Sequence, residues 1–148
     1  MHKKIIILLA AFIAIVGFTA PSAYAANPHY VQGPSVSVSG NSLVVSFKAA
    51  GLGDLGGTAD FTLTGTVTAT AQCFTRSGNP VQGVPKTDVT NVDATGSFPI
   101  RNGQTTGSFT VSPLTTLTCT GNQQVRILSV SYDLTLSNVY LGDTHLVG

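Results

Sequence analysis

The clearest pattern in the sequence is a strict alternation of apolar and polar residues between Phe61 and Cys73. Every second position in this stretch is apolar or glycine, and a threonine or glutamine occupies each position in between. A period of two residues is typical of a β-strand with one face in a core and the other in water. The pattern therefore predicts a long strand whose core face includes Cys73.

The same period recurs elsewhere in the chain. It is clear from Leu43 to Phe47 and from Leu128 to Leu136, and weaker at Val36 to Val38 and at Leu117 to Cys119. Stretches rich in glycine and proline separate these segments, and the chain contains no glutamate and one methionine, so material for helices is scarce. We expect an all-β domain, an antiparallel two-sheet sandwich of about seven strands, either immunoglobulin-like or jelly-roll-like.

One β-hairpin is predicted in more detail. The segments 96–98 and 107–109 both read Gly-Ser-Phe and flank a turn at Asn102-Gly103. An antiparallel ladder that places Phe98 opposite Gly107 and Phe109 opposite Gly96 covers both glycines with an aromatic ring. Because Pro99 has no N–H for the ladder of a two-residue loop, a four-residue loop over 101–104 is favoured.

The N-terminus has the three parts of a secretory signal peptide. Lys3 and Lys4 precede an apolar run over residues 5–18, and Ala23-Tyr24-Ala25 forms a small-residue cleavage site. The run is shorter than the roughly 20 apolar residues that a membrane span needs, although an uncleaved N-terminal anchor remains the alternative. We expect residues 1–25 to be removed, which leaves one secreted, extracellular domain over 26–148 with no membrane span.

Two cysteines, Cys73 and Cys119, are present in the chain. An exported protein meets an oxidising environment, so these two residues are predicted to form a disulfide with both side chains pointing inward. The alternatives are two buried thiols or a metal-binding pair. The metal is disfavoured because two cysteines without nearby histidines fall short of four ligands.

Charge and motifs exclude several classes of function. The chain has seven basic and six acidic residues, and the basic residues that follow the predicted leader are scattered, which disfavours nucleic-acid binding. The sequence contains no Gly-x-Ser-x-Gly elbow, no Cys-x-x-Cys motif and no glycine-rich phosphate loop. We therefore predict no catalytic residues, no metal site and no cofactor, and do not expect an enzyme.

Several short segments resemble a family of small exported bacterial proteins of unknown function. They are Ala50-Gly51-Leu52-Gly53, Ala71-Gln72-Cys73, Gly96-Ser97-Phe98-Pro99 with Arg101-Asn102-Gly103-Gln104, Leu117-Thr118-Cys119 and Leu128-Ser129-Val130-Ser131-Tyr132. The resemblance implies secretion and a β-sandwich with a single disulfide, and it implies no activity. In that family a further strand tends to follow the last alternating segment seen here.

The sequence is compatible with three classes of function. The first is an extracellular structural or surface-associated protein, and the second is a binding module for a polysaccharide or protein that uses the irregular loops 49–57 and 75–86. Plain connection of strands is the simpler role for both loops. The third is an enzyme whose site carries no recognisable motif.

The sequence predicts only the kind of partner. They are a cell-surface polymer, or other copies of the chain joined by strand addition. In the second case residues 27–39 would pair with a neighbour, although pairing of residues 35–39 within their own domain is favoured.

Overall fold

The computed structural model describes residues 27–53 and 57–148. The predicted signal peptide, residues 1–25, lies outside the described residues. The described chain forms seven strands: β1 (His29–Ser39), β2 (Ser42–Ala50), β3 (Thr58–Phe74), β4 (Lys86–Pro99), β5 (Thr105–Val111), β6 (Gln124–Asn138) and β7 (Gly142–Val147). No helix within this part of the chain is long and apolar enough to cross a membrane.

The seven strands form two antiparallel sheets. A three-stranded sheet has the order β1-β2-β5, and a four-stranded sheet has the order β4-β3-β6-β7. Buried residues from both sheets form one hydrophobic core. The predicted two-sheet sandwich is therefore confirmed. Groups of three and four strands fit the immunoglobulin-like arrangement, because a jelly roll has eight strands.

Strand β3 runs through the middle of the four-stranded sheet and follows the predicted alternation. Phe61, Leu63, Val67 and Ala69 are at most 1% exposed. The threonines between them lie on the outer face, which is free of the opposing sheet. Because β3 pairs with β4 on one side and β6 on the other, its alternating sequence sets the core face of three strands.

The predicted hairpin over residues 94–111 is wrong. Strand β4 pairs with β3 and β5 pairs with β2, so the two strands belong to different sheets, and only Arg101 and Gln104 pair across the turn. The turn over 101–104 carries the chain from one sheet to the other. The contact between Phe98 and Gly107 does form, but across the core, where a Cβ on Gly107 would lie 2.6 Å from the ring.

Aromatic rings from both sheets meet at this point of the core. The centre of the Phe47 ring lies 4.2 Å from that of Phe61 and 5.2 Å from that of Phe98. The ring centres of Phe98 and Phe109 are 5.6 Å apart. Two of these pairs are edge-on, a favourable geometry for aromatic rings. The repeated Gly-Ser-Phe sequence therefore makes room for packing between sheets and does not set a ladder register.

The N-terminal strand β1 pairs with β2 of its own chain. The ladder extends from His29 opposite Ala50 to Ser39 opposite Ser42, with irregularities near Gln32. This arrangement confirms the favoured prediction that residues 35–39 pair within the domain. The alternative, in which residues 27–39 pair with a neighbouring chain, is not the arrangement in this structure.

The predicted disulfide is present between Cys73 and Cys119. Cys73 lies near the end of β3, whereas Cys119 lies in an irregular segment, residues 112–123, that connects β5 to β6. The strand expected at Leu117 to Cys119 was therefore wrong. Both cysteines are half-buried, and neither belongs to the cluster of buried core residues. The predicted turn over 120–123 is confirmed by a hydrogen bond from the Gln123 N–H to the Thr120 carbonyl.

Candidate functional site

The two loops predicted from sequence as binding loops lie at opposite ends of the sandwich. Loop 49–57 precedes β3 and loop 75–86 follows it. Strand β3 has 17 residues, and at about 3.4 Å per residue it separates the loops by roughly 55 Å. The two loops therefore cannot form one binding site.

Each of these loops is also held by contacts within the domain. In the described part of loop 49–57, Leu52 is buried and its N–H donates to the Gly103 carbonyl. In loop 75–86, the Val81 N–H donates to the Cys73 carbonyl, which folds the loop back on β3. Val84, in this second loop, is 94% exposed. These contacts fit connecting segments, the simpler role that the sequence suggested.

A groove of about 700 Å³ lies beside the first half of β6. Its walls come from the β1–β2 turn, the irregular segment 112–123 and residues 125–130 of β6. The side chains along it are mainly aliphatic: Val38, Leu117, Val125, Ile127, Leu128 and Val130. This volume lies within the range of roughly 300–1,000 Å³ that is usual for ligand sites. A second concavity, of about 810 Å³, lies on the three-stranded sheet and is lined mostly by serine, glutamine and threonine.

The groove borders the part of β6 that, within the described residues, has a strand partner on one side only. Strand β7 pairs with β6 from Asn138 to Asp133, and the ladder ends with two hydrogen bonds between Tyr132 and Gly148. Residues 124–131 of β6 pair with β3 on their other side, and no strand of the described chain continues β7 along them. Within the described residues, the backbone N–H and C=O groups on this side of the segment have no strand partner. We call residues 124–131 of β6 the free edge.

A β-bulge at Leu128 shapes this edge. The β3–β6 ladder shifts register between Ser129 opposite Thr70 and Ile127 opposite Ala71, so Leu128 has no partner. The sequence predicted Leu128 on the core face, and this was wrong, because the side chain is 47% exposed beside the groove. The apolar pair Ile127-Leu128 next to Val125 breaks the alternation and is the sequence signal for this bulge.

Hydrogen bonds fix the wall opposite the free edge. The Asn41 carboxamide oxygen accepts from the N–H groups of Leu114 and Thr115, at 2.8 and 2.9 Å, and its amide donates to the Thr115 carbonyl. An Asp88 carboxylate oxygen accepts from the Thr115 hydroxyl at 2.7 Å and from the Thr116 N–H at 3.0 Å. These bonds hold the segment that carries Leu117. The groove wall is therefore well tied to the sandwich.

The same contacts perturb the acidity of Asp88. The Thr115 hydroxyl, followed by the Thr116 N–H and Lys86, stabilises the carboxylate and lowers the pKa of Asp88 below its ordinary value. The role of Asp88 in anchoring residues 115–116 is not predicted by the sequence. Its partners lie some 27 residues further along the chain, so no local pattern reveals it.

Arg126 is the one charged side chain among the residues that line the groove. Its guanidinium carbon lies 4.8 Å from the centre of the Phe74 ring, a cation–π contact that orients the side chain. No carboxylate among the described residues forms an ion pair with it. The guanidinium thus lies against Phe74 and beside Gly78 of loop 75–86, whereas the side chains along the groove are mainly aliphatic.

Ionisable side chains elsewhere are dispersed. The His145 imidazole lies 2.6 Å from an Asp133 carboxylate oxygen, and both side chains are exposed on the four-stranded sheet. Across residues 27–53 and 57–148, no group of three or more His, Cys, Asp or Glu side chains is placed to hold a metal ion.

The chain matches no protein-family model, and comparison with curated proteins and with solved structures finds no match. The resemblance to small exported bacterial proteins therefore stays a prediction, and function has to be inferred from the geometry of this chain.

Proposed function

We propose that this protein is a secreted, surface-associated structural module that acts without catalysis. The observation that carries the proposal is the outer face of the four-stranded sheet. Along β3 and β6 this face consists of short polar side chains paired in register: Thr62 with Ser137, Thr64 with Thr135, Thr66 with Asp133, Thr68 with Ser131 and Thr70 with Ser129. Hydroxyl groups keep such a face hydrated, and threonine is also a strong strand former.

The disulfide is the second support for an extracellular role. Disulfides persist in oxidising compartments and are rare in the cytosol. Together with the signal-like sequence of residues 1–25, the Cys73–Cys119 bond favours export. The resemblance to small exported bacterial proteins points the same way.

Fractionation of producing cells tests this proposal. We expect the protein in the culture medium and in a high-salt wash of the cell surface, with an intact mass that begins at Ala26. Deletion of residues 1–25 is the control and should leave the protein inside the cell. Recovery of the full chain with Met1 in the membrane fraction, or absence of the protein from the surface wash, would contradict the proposal.

A binding module is the second candidate, and the groove beside the free edge favours it. Polysaccharide sites commonly offer exposed aromatic rings, and no aromatic residue lines this groove. Tyr140 is 45% exposed, but it lies at the β6–β7 turn, at the other end of β6. The groove therefore favours a protein partner over a polysaccharide. A pull-down that compares cell-wall polysaccharide with surface-protein fractions separates the two.

A further inference from the structure

We propose that one end of the sandwich binds an anionic polysaccharide through Arg76 and Arg126. The inference rests on the proposed surface association and deepens it by naming the kind of polymer that would hold the module at the surface. This polymer would carry anionic groups at regular intervals, and their oxygens would accept hydrogen bonds from the two guanidinium groups.

The fold brings together basic residues that are scattered in the sequence. Arg76 follows the end of β3 by two residues, Lys86 is the first residue of β4, and Arg126 is the third residue of β6. Because β3 is antiparallel to both neighbouring strands, these positions lie at the same end of the four-stranded sheet. Three of the five lysines and arginines of residues 27–148 are therefore at this end, which we call the basic end.

Among the described residues, Asp88 is the one side-chain carboxylate at the basic end, and it is already engaged. One of its oxygens accepts from the Thr115 hydroxyl and the Thr116 N–H, and the other lies 3.4 Å from the Lys86 ammonium. These contacts leave Asp88 and Lys86 paired with each other. They do not involve the two arginines of the basic end.

The other aspartates of the described chain lie nearer the middle or the opposite end of the sheet: Asp60, Asp93, Asp133 and Asp143. Asp133 is seven residues from Arg126 along β6, roughly 24 Å at about 3.4 Å per residue. That distance exceeds the Debye length of about 8 Å in physiological salt. No carboxylate of the described residues forms an ion pair with Arg76 or Arg126, so both can interact with an external anion.

The Arg126 guanidinium is oriented before any ligand arrives. Its central carbon lies 4.8 Å from the centre of the Phe74 ring, and a Cβ built on Gly78 would lie 3.8 and 3.9 Å from its two terminal nitrogens. A guanidinium stacked on an aromatic ring keeps its N–H groups in its own plane, where they can donate in pairs to a carboxylate or a phosphate.

Arg76 lies in a closed turn beside a concavity. The Thr75 N–H donates to the Asn79 carbonyl at 2.8 Å, and the Asn79 N–H donates to the Thr75 hydroxyl at 3.1 Å. Between residues 75–76 and the turn over 120–123 lies a concavity of about 360 Å³. Thr120 and Asn122 line it together with Arg76, and their hydroxyl and amide groups can hydrogen-bond to sugar hydroxyls.

The separation of the two arginines favours a repeating polymer over a single small anion. Arg126 does not line the concavity of Arg76, so the two guanidinium groups would meet different anionic groups of one chain. An anionic lipid surface is the rival partner, because Val84 in the same loop is 94% exposed. Stable lipid binding needs a broad apolar face as well as charge, whereas the polar groups around Arg76 fit a hydrated glycan.

Three probes test the proposal on the purified, disulfide-bonded protein. Polygalacturonate carries a carboxylate on each sugar, dextran carries no charge, and vesicles of phosphatidylglycerol and phosphatidylcholine present anionic lipid. We expect saturable binding of polygalacturonate by calorimetry, weakened by about fivefold or more between 50 and 200 mM salt. We expect no binding of dextran or of the vesicles.

Matched double variants locate the site. Arg76→Gln combined with Arg126→Gln removes two positive charges from the basic end and should weaken polygalacturonate binding at least tenfold. Lys48→Gln combined with Arg101→Gln removes two positive charges that line one cavity at the opposite end of the sandwich, and should change affinity less than twofold. Val84→Ser should also leave the affinity unchanged. Similar unfolding temperatures of the variants show that all of them fold.

The proposal is overturned by any of four results: no saturable binding of polygalacturonate, equal binding of dextran, equal weakening by the two double variants, or vesicle binding that is at least as tight and is lost in Val84→Ser. In producing cells, the Arg76→Gln, Arg126→Gln variant should reach the medium but be missing from the high-salt surface wash. A parent protein that is never exported would instead contradict the proposed function, so the two failures are distinguishable.

Discussion

Replacement of Gly65 by alanine should destabilise the protein strongly, because this residue brings the backbones of β3 and β6 close together. Gly65 has a φ of +133°, which side chains rarely adopt, and a Cβ there would contact the Asp133 carbonyl oxygen and lie 2.9 Å from the Leu134 Cα. Strain at such a φ costs about 1–3 kcal/mol, and overpacking against a backbone that cannot move aside costs about 1–3 kcal/mol more. We expect a loss of about 4 kcal/mol in the free energy of unfolding.

Gly40→Ala is the matched control. Gly40 also has a positive φ, +56°, but nothing lies within 4 Å of a Cβ built there. Only the left-handed conformation then opposes the substitution, at a cost of about 1 kcal/mol. Guanidinium unfolding of both variants measures the difference, and an unchanged m-value shows that stability alone has changed.

In thermal unfolding, a loss of about 4 kcal/mol corresponds to a fall of roughly 15 °C in Tm for Gly65→Ala. Equal losses in the two glycine variants, or a loss below about 1 kcal/mol for Gly65→Ala, would refute the close approach of β3 and β6.

Two other predictions concern the disulfide and the acidity of Asp88. Replacement of both Cys73 and Cys119 by serine opens a loop with a sequence separation of 46. On the chain-entropy model this should lower the free energy of unfolding by about 4 kcal/mol. A loss below about 1 kcal/mol in urea unfolding would contradict the prediction. A lowered pKa in the folded state means that Asp88 contributes stability above its unfolded pKa, and that this contribution is lost as the pH falls through the lowered value. We therefore expect Asp88→Asn to be less stable than the parent protein at pH 7, and the difference in stability to shrink as the pH falls below about 3.9. A difference in stability that stays constant from pH 7 to pH 2 would be inconsistent with a stabilising role of the Asp88 carboxylate.

The sequence predicts the centre of the sandwich better than its edges. Strand β3 pairs with β4 on one side and with β6 on the other, so every second side chain along it faces the core. The alternation from Phe61 to Ala71 shows this directly. Strand β7 was not predicted, because residues 142–147 carry apolar side chains only at Leu146 and Val147. An edge strand with one half-covered face has no comparable pattern.

Other features depend on contacts between distant segments. The Gly-Ser-Phe repeat favours contact between Phe98 and Gly107 equally well within a hairpin and across two sheets, so local sequence could not choose between them. The groove combines residues 38–41, Leu117 and 125–130, which lie far apart in the sequence.

Amide hydrogen exchange along β6, followed by NMR in the purified protein, tests most directly whether β7 pairs with β6 as far as Tyr132. We expect slow exchange at Tyr132, whose N–H donates to the Gly148 carbonyl, and exchange at Val130 that is at least a hundredfold faster although it lies only two residues away in the same strand. Equal protection of both amides in the purified protein would show that another segment already covers the edge, and would contradict the account.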